Sequence, residues 1–209
     1  MLIKAAVIQA QEKVGISTTQ PALPARSMLQ VWTEAVSDSS SNPAFTCLGQ
    51  TLSYGEIDQL SRRVASYLQK RLRLQAGDRI AIQLPNLIQY PVVAIAAMKL
   101  GLVIVNTNPM YSVRELVHQF NDAGVKAVIV LDQFYSVLAE AAPQTSVEHI
   151  IVTRPLDIMA SSKQKVLGGL MRIMGKRPMI KDQNIIDFKD LLAGGTSYSN
   201  HRASVYDIC

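Results

Sequence analysis

Between residues 53 and 153 the apolar positions switch between two periods, 3.6 and 2, and the switches fall at turn residues. Ile57, Leu60, Val64, Tyr67 and Leu68 recur at helical spacing and predict a core-facing helix from Tyr54 onward. Ser53 and Glu56, three apart, form the signature of a capping box at its start. Residues 79–84 then read as a short strand, launched by Gly77 and Asp78. Pro85 and Asn86 turn the chain into an almost wholly apolar helix over 87–100, closed by Gly101. Residues 102–105 lack polar alternation and predict a strand buried on both faces. Asn108 and Pro109 break the chain, and Ser112 with Glu115 predicts a second capped helix that ends at Gly124. Residues 126–131 and 148–153 are strands around a helix over 134–142. Four strands separated by three helices predict an α/β domain of three layers, a mainly parallel sheet with helices on both faces.

Outside this block the pattern is weaker. Residues 1–26 read as a leader without a fixed structure. Ser27 caps a helix over 28–36 with Leu29, Trp32 and Val36 on one face. Residues 44–48 and 50–53 alternate around Gly49 as a hairpin. Residues 27–155 form one α/β subdomain, 156–183 a basic insertion, and 184–209 a lead-in to further chain. Within that last stretch 184–192 suits one strand and a short helix, and 194–206 is polar and loop-like.

Composition narrows the class. With 48% hydrophobic and 18% charged residues in 209, the chain can bury a substantial core. The longest apolar run, 91–105, contains Lys99 and Gly101 and is too short to cross a bilayer. The amino end lacks the apolar core and cleavage site of a secretory signal. Cys47 and Cys209 are too isolated to suggest a structural disulfide, which favours a reducing cytoplasm. The net charge of +5 is local. Lys163, Lys165, Arg172, Lys176, Arg177 and Lys181 supply six positive charges with no acidic residue among them, and 5 − 6 leaves the rest at −1. That argues against a general nucleic-acid surface. Val166, Leu167, Leu170, Met171 and Met174 can share one helical face within this segment, a pattern suited to an anionic membrane surface. The other reading is a solvated basic loop packing a few apolar residues, and Gly168 and Gly169 weaken any helix there.

Few residues carry chemistry. His118 shares a helix face with Glu115 and Asp122, a solvated charged face. His149 and His201 lack partners in sequence. Cys47 reads as a packing residue, and Trp32 and Tyr90 as core anchors. No residue is assigned a catalytic, cofactor or metal-ligating role. The Gly-Gly-Thr in residues 193–202 has nothing marking a strand that leads into it, and it reads as a flexible linker.

Four stretches together are more specific than any one alone. LSYGEI at 52–57 is by itself a common capped helix start. MKLGLVIVNTNP at 98–109 and YSVRELVHQFNDAG at 111–124 follow it in order, with GDRIAIQLPN at 77–86 between. Over residues 27–153 the chain resembles the adenylate-forming, AMP-binding enzymes, and among them the bacterial long-chain fatty acyl-CoA synthetases; Leu100 departs from the Ala of the family motif. The resemblance implies, for the intact protein, ATP- and Mg²⁺-dependent activation of a fatty acid as acyl-adenylate, with release of pyrophosphate and capture by coenzyme A. It places every matched residue in the scaffold, so the chain alone is expected to be inactive and to bind none of these cofactors. Another carboxylic acid as substrate, or a non-catalytic binding or membrane-docking module, stay open. The expected partners are the fatty acid, an anionic membrane at the inner face of the cell, and other copies of the chain through an uncovered apolar face.

Overall fold

The structure is a computed structural model that describes residues 27–159 and 185–201, together with Lys13. The leader, the basic insertion and the last eight residues lie outside the described residues.

Seven strands and six α-helices are described. Helix α1 (Met28–Ser39) leads into an antiparallel hairpin of β1 (Pro43–Cys47) and β2 (Gln50–Ser53). Its two-residue turn places Leu48 at φ 50° and Gly49 at φ 71°. Two successive left-handed residues match the right-handed twist of a tight hairpin. Helix α2 (Tyr54–Lys70), strand β3 (Arg79–Gln83), helix α3 (Gln89–Leu100) and strand β4 (Val103–Asn106) follow. Then come α4 (Val113–Ala123), β5 (Val125–Leu131), α5 (Tyr135–Ala141), β6 (His149–Thr153), β7 (Ile185–Asp187) and α6 (Phe188–Ala193).

The capping boxes form as the sequence indicates. The Ser53 hydroxyl accepts from the Glu56 amide while Glu56 reaches back to the Ser53 amide, and Ser112 and Glu115 repeat the arrangement. Ser27 and Gln30 add a third box at α1. Helix α3 starts two residues later than the apolar run suggests. The turn after Pro85 takes up Leu87, whose amide bonds the Pro85 carbonyl at 2.7 Å.

Five strands form one parallel sheet in the order β4-β3-β5-β6-β7. Alternation along the strands feeds two cores. Ile80, Ile82, Ala127, Ile129 and Ile151 face α2, α3 and α6, whose Ile57, Val64, Leu68, Val92, Val93, Phe188 and Leu191 meet them. Ala81, Val128, Val130 and Val152 face the opposite way onto Leu116 and Phe120 of α4 and Leu138 of α5. The three-layer α/β expectation holds.

Two expectations are corrected. Strand β4 is not buried on both faces. Val103, Ile104 and Val105 are half-buried and Asn106 is exposed, because among the described residues no strand pairs with the outer side of β4. The stretch after α6 is irregular, but its described part, 194–201, is not a free linker. It is strapped along α2: Ser66 Oγ donates to the Ser197 carbonyl at 2.8 Å, and Gln69 bonds both the amide and the carbonyl of Ser199 at 2.8 and 3.1 Å.

Candidate functional site

A parallel sheet gathers its loops, and usually its ligands, at the carboxyl ends of its strands. Here β3 sends the chain to β4 on one side and β5 lies on the other, so the order reverses at β3. At this end the turn after β3 and the start of α3 meet the β1–β2 hairpin. Phe45, Thr46, Cys47, Asn86, Leu87, Tyr90 and Pro91 line a mostly apolar cleft of about 260 Å³. The Tyr90 hydroxyl is fixed by Asn106 Oδ1 at 2.6 Å. Cys47 is free and half-buried, with its Sγ donating to the Asn86 carbonyl at 3.6 Å, a weak contact. Cys47 and Tyr90 are half-buried, packing against the core on one side and lining the cleft on the other.

Further along the same edge lies a polar cluster. Gln89 Nε2 donates to the Arg154 carbonyl at 2.8 Å. Arg154 Nη1 bonds Asp187 Oδ2 at 2.6 Å, and Asp157 Oδ2 accepts the Arg154 amide at 2.7 Å. Burial pushes the Asp157 carboxyl above its ordinary value, since the Arg154 amide and the 3.7 Å contact with Lys189 only partly offset the lost water. Burial also acts on Asp187, but there the Lys189 amide and the Arg154 guanidinium win, and its carboxyl sits below the ordinary value. The cluster ties β6 to β7 and starts α6.

The helix opened by the first motif meets the second motif inside the protein. Lys99 of α3 is 4% exposed. Its Nζ donates to Asp58 Oδ1 at 2.6 Å and to Ser61 Oγ at 2.7 Å, both on α2. Asp58 also accepts from Arg62 Nε at 2.6 Å and Trp32 Nε1 at 3.1 Å. Burial favours the neutral acid, but these donors and the Lys99 charge outweigh it and hold Asp58 below its ordinary value. Burial draws Lys99 down as well, against the pull of Asp58. The short, multiply bonded contact favours the charged pair at neutral pH. Sequence reasoning missed this cluster. Its one signal is a lysine in the last turn of an otherwise apolar helix.

The Gly-Gly-Thr stretch leaves α6 with Gly194 extended at φ −73° and ψ 172°. The Ser199 and His201 amides that follow it are committed to Gln69 and to the Lys99 carbonyl. Among the described residues no group of three or more His, Cys, Asp or Glu is placed to hold a metal ion. His118, Glu115 and Asp122 lie exposed on α4, and His149 opens β6. His201 does not hang in a polar tail: its ring lies over Gly101. The nine residues expected at a membrane, Lys163, Lys165, Val166, Leu167, Leu170, Arg172, Lys176, Arg177 and Lys181, lie outside the described residues. No described helix is long and apolar enough to cross a membrane.

A parallel sheet with this strand order, covered by helices on both faces, defines a doubly wound α/β scaffold. The family model described as AMP-binding enzyme matches residues 32–204, and the chain belongs to that family. It is 34% identical over 171 residues to a long-chain-fatty-acid–CoA ligase of Salmonella typhimurium, covering 81% of this chain and 30% of the relative. A ligase of the same description from Haemophilus influenzae is 35% identical over 170 residues, with 81% and 30% covered. The chain thus spans about 30% of the length of these curated relatives. Among solved structures, the anthranilate CoA ligase AuaEII in complex with anthranoyl-AMP superposes with a TM-score of 0.71 at 15% identity, over 90% of this chain and 32% of its own. That likeness speaks for the fold alone.

Proposed function

We propose that this chain is the scaffold at the start of the AMP-binding domain of a long-chain fatty acid–CoA ligase. The intact enzyme joins a fatty acid to coenzyme A in two steps at the expense of ATP. A carboxylate is a poor electrophile because oxide is a poor leaving group, and the mixed anhydride with AMP supplies a better one. ATP, Mg²⁺ and coenzyme A furnish that chemistry when bound. The chain's own residues make the platform: two apolar cores around one sheet, locked by the Asp58–Lys99 cluster and the strap along α2. Residues 1–209 alone neither bind these cofactors nor catalyse adenylation. The basic segment from Lys163 to Lys181 docks on anionic lipid at the cytoplasmic face, where a water-poor substrate is collected.

The observation that carries this reading is the 34% identity to a named long-chain ligase across four-fifths of the chain. The test is thioester formation by the complete gene product that contains these residues, offered acetate, benzoate, decanoate and palmitate with ATP, Mg²⁺ and coenzyme A. Preference for palmitate or decanoate is expected. Preference for benzoate or acetate would keep the family and overturn the substrate class, and no thioester with any acid would overturn the function.

A further inference from the structure

The chain after α6 is gripped by its backbone. Arg63 Nη1 of α2 donates to the Leu192 carbonyl at 3.1 Å and fixes the end of α6. Gly194 and Gly195 follow. A Cβ added at Gly195 would meet nothing within 4 Å, so the backbone can pivot there without moving a neighbour. Beyond the glycines, Ser66 Oγ donates to the Ser197 carbonyl at 2.8 Å and Gln69 takes both backbone groups of Ser199. The His201 amide donates to the Lys99 carbonyl at 2.9 Å. Every second residue is held, which is the repeat of an extended chain. The side chains of Ser197, Ser199 and Asn200 are exposed, while Tyr198 packs against the core.

The strap also reaches the buried ion pair. His201 bonds the carbonyl of the same Lys99 whose Nζ meets Asp58 at 2.6 Å. Burial holds the Tyr198 hydroxyl above its ordinary value, while the nearby Arg62 charge draws it down and the Asp58 charge adds to the rise. Tyr198 therefore stands beside the cluster of Arg62, Asp58 and Lys99. A closed strap keeps water from that cluster, and a charged pair gains strength as the effective dielectric around it falls. An open strap admits water to it and takes the Ser197 carbonyl away from Ser66, which is 6% exposed with the strap in place.

We propose that residues 194–201 form a latch: they leave and rejoin α2 as one unit, pivoting at Gly194 and Gly195, and closure is coupled to the Asp58–Lys99 pair. The latch is held by a few bonds outside any helix or sheet ladder, the kind of segment that opens below the limit of global unfolding. Because backbone groups are gripped, its own exposed side chains can change without releasing it. Coupling runs both ways: a pull on the chain at His201 weakens the pair, and weakening the pair loosens the latch. The inference rests on the described contacts, and it stands whether or not the ligase reading holds.

The test is residue-resolved amide exchange on the 209-residue chain, read at Ser199, at His201 and at Val128 of β5. Ser199 and His201 are expected to share one opening equilibrium, exchanging at least about tenfold faster than Val128 and more slowly than unstructured peptide. Ser66→Ala touches neither amide and is expected to speed both by the same factor, about fivefold. Ser197→Ala and Asn200→Ala are expected to leave both rates within about twofold. Lys99→Met keeps the carbonyl that His201 uses, yet is expected to speed both strap amides by about threefold or more. A loss of stability without coupling would speed Val128 and leave the strap amides unchanged. If Lys99→Met does not fold, Trp32→Phe, which takes one donor from Asp58, is expected to act in the same direction. Strap amides as slow as Val128 or as fast as unstructured peptide would overturn the proposal. So would separate responses of Ser199 and His201 to Ser66→Ala, release by the strap's own side-chain variants, or no response to the change at the ion pair.

Discussion

Replacing Lys99 by Met removes the ammonium that joins α3 to α2 while keeping most of the side-chain volume. Deleting one partner of a buried ion pair costs about 3–5 kcal/mol, because the other charge is left without compensation. Here the remaining Asp58 carboxylate keeps two donors, Arg62 at 2.6 Å and Trp32 at 3.1 Å. Arg62 is half-exposed, so water screens its contribution. The Ser61 hydroxyl also loses its 2.7 Å partner. These terms place Lys99→Met near the lower end, about 3 kcal/mol. With a urea slope of about 2–3 kcal/mol per molar, the unfolding midpoint falls by roughly 1 M. Asp58→Leu leaves the buried ammonium unpaired and is expected to cost as much or more. The decisive arm is the double variant Lys99→Met with Asp58→Leu. It removes both charges and is expected to recover at least about 1 kcal/mol relative to the sum of the single changes. A cost below about 1 kcal/mol for Lys99→Met, or strictly additive losses, would refute the reasoning that this pair is a buried, coupled lock.

Other outcomes can be checked with the same unfolding assay. Asp157→Asn bears on pH. An acid whose folded value is raised contributes stability that is full below its unfolded value and lost as pH rises through the folded one. The unaltered chain is therefore expected to gain stability relative to Asp157→Asn on acidification from pH 7, and a gap that moves the other way would contradict the burial argument. Gly101→Ala is expected to destabilise by more than about 1 kcal/mol, since φ is 68° and the His201 ring occupies the space; a neutral effect would show that the ring is not held there. Ser53→Ala removes a cap and is expected to cost about 1 kcal/mol, read as the midpoint shift. Neutralising the six basic residues between Lys163 and Lys181 is expected to abolish co-sedimentation with anionic vesicles, and equal binding by both forms would remove the membrane proposal.

What could be read from sequence was local. A capping box such as Ser53 with Glu56 needs only a three-residue spacing, and the end of α4 needs only Gly124. Strand β4 shows the limit. Its apolar run is the same whether it lies in the middle of a sheet or at the edge, because the order of strands is set by contacts far apart in the chain. The Asp58–Lys99 pair joins residues 41 apart, and neither helix's periodicity reveals its partner. The strap is harder still. Ser197, Ser199 and His201 hold their place through backbone groups, so their polar side chains read as linker. Chemistry was legible only through the motif order, which identifies the family and assigns its matched residues to the frame.

That division between frame and chemistry is the central claim, and pyrophosphate exchange tests it most directly. The 209-residue chain is incubated with ATP, Mg²⁺, palmitate and radiolabelled pyrophosphate, and label entering ATP is counted. Incorporation no higher than in buffer is the expected result. Exchange that depends on both the chain and palmitate would contradict the account, because it would place the reacting groups within these residues.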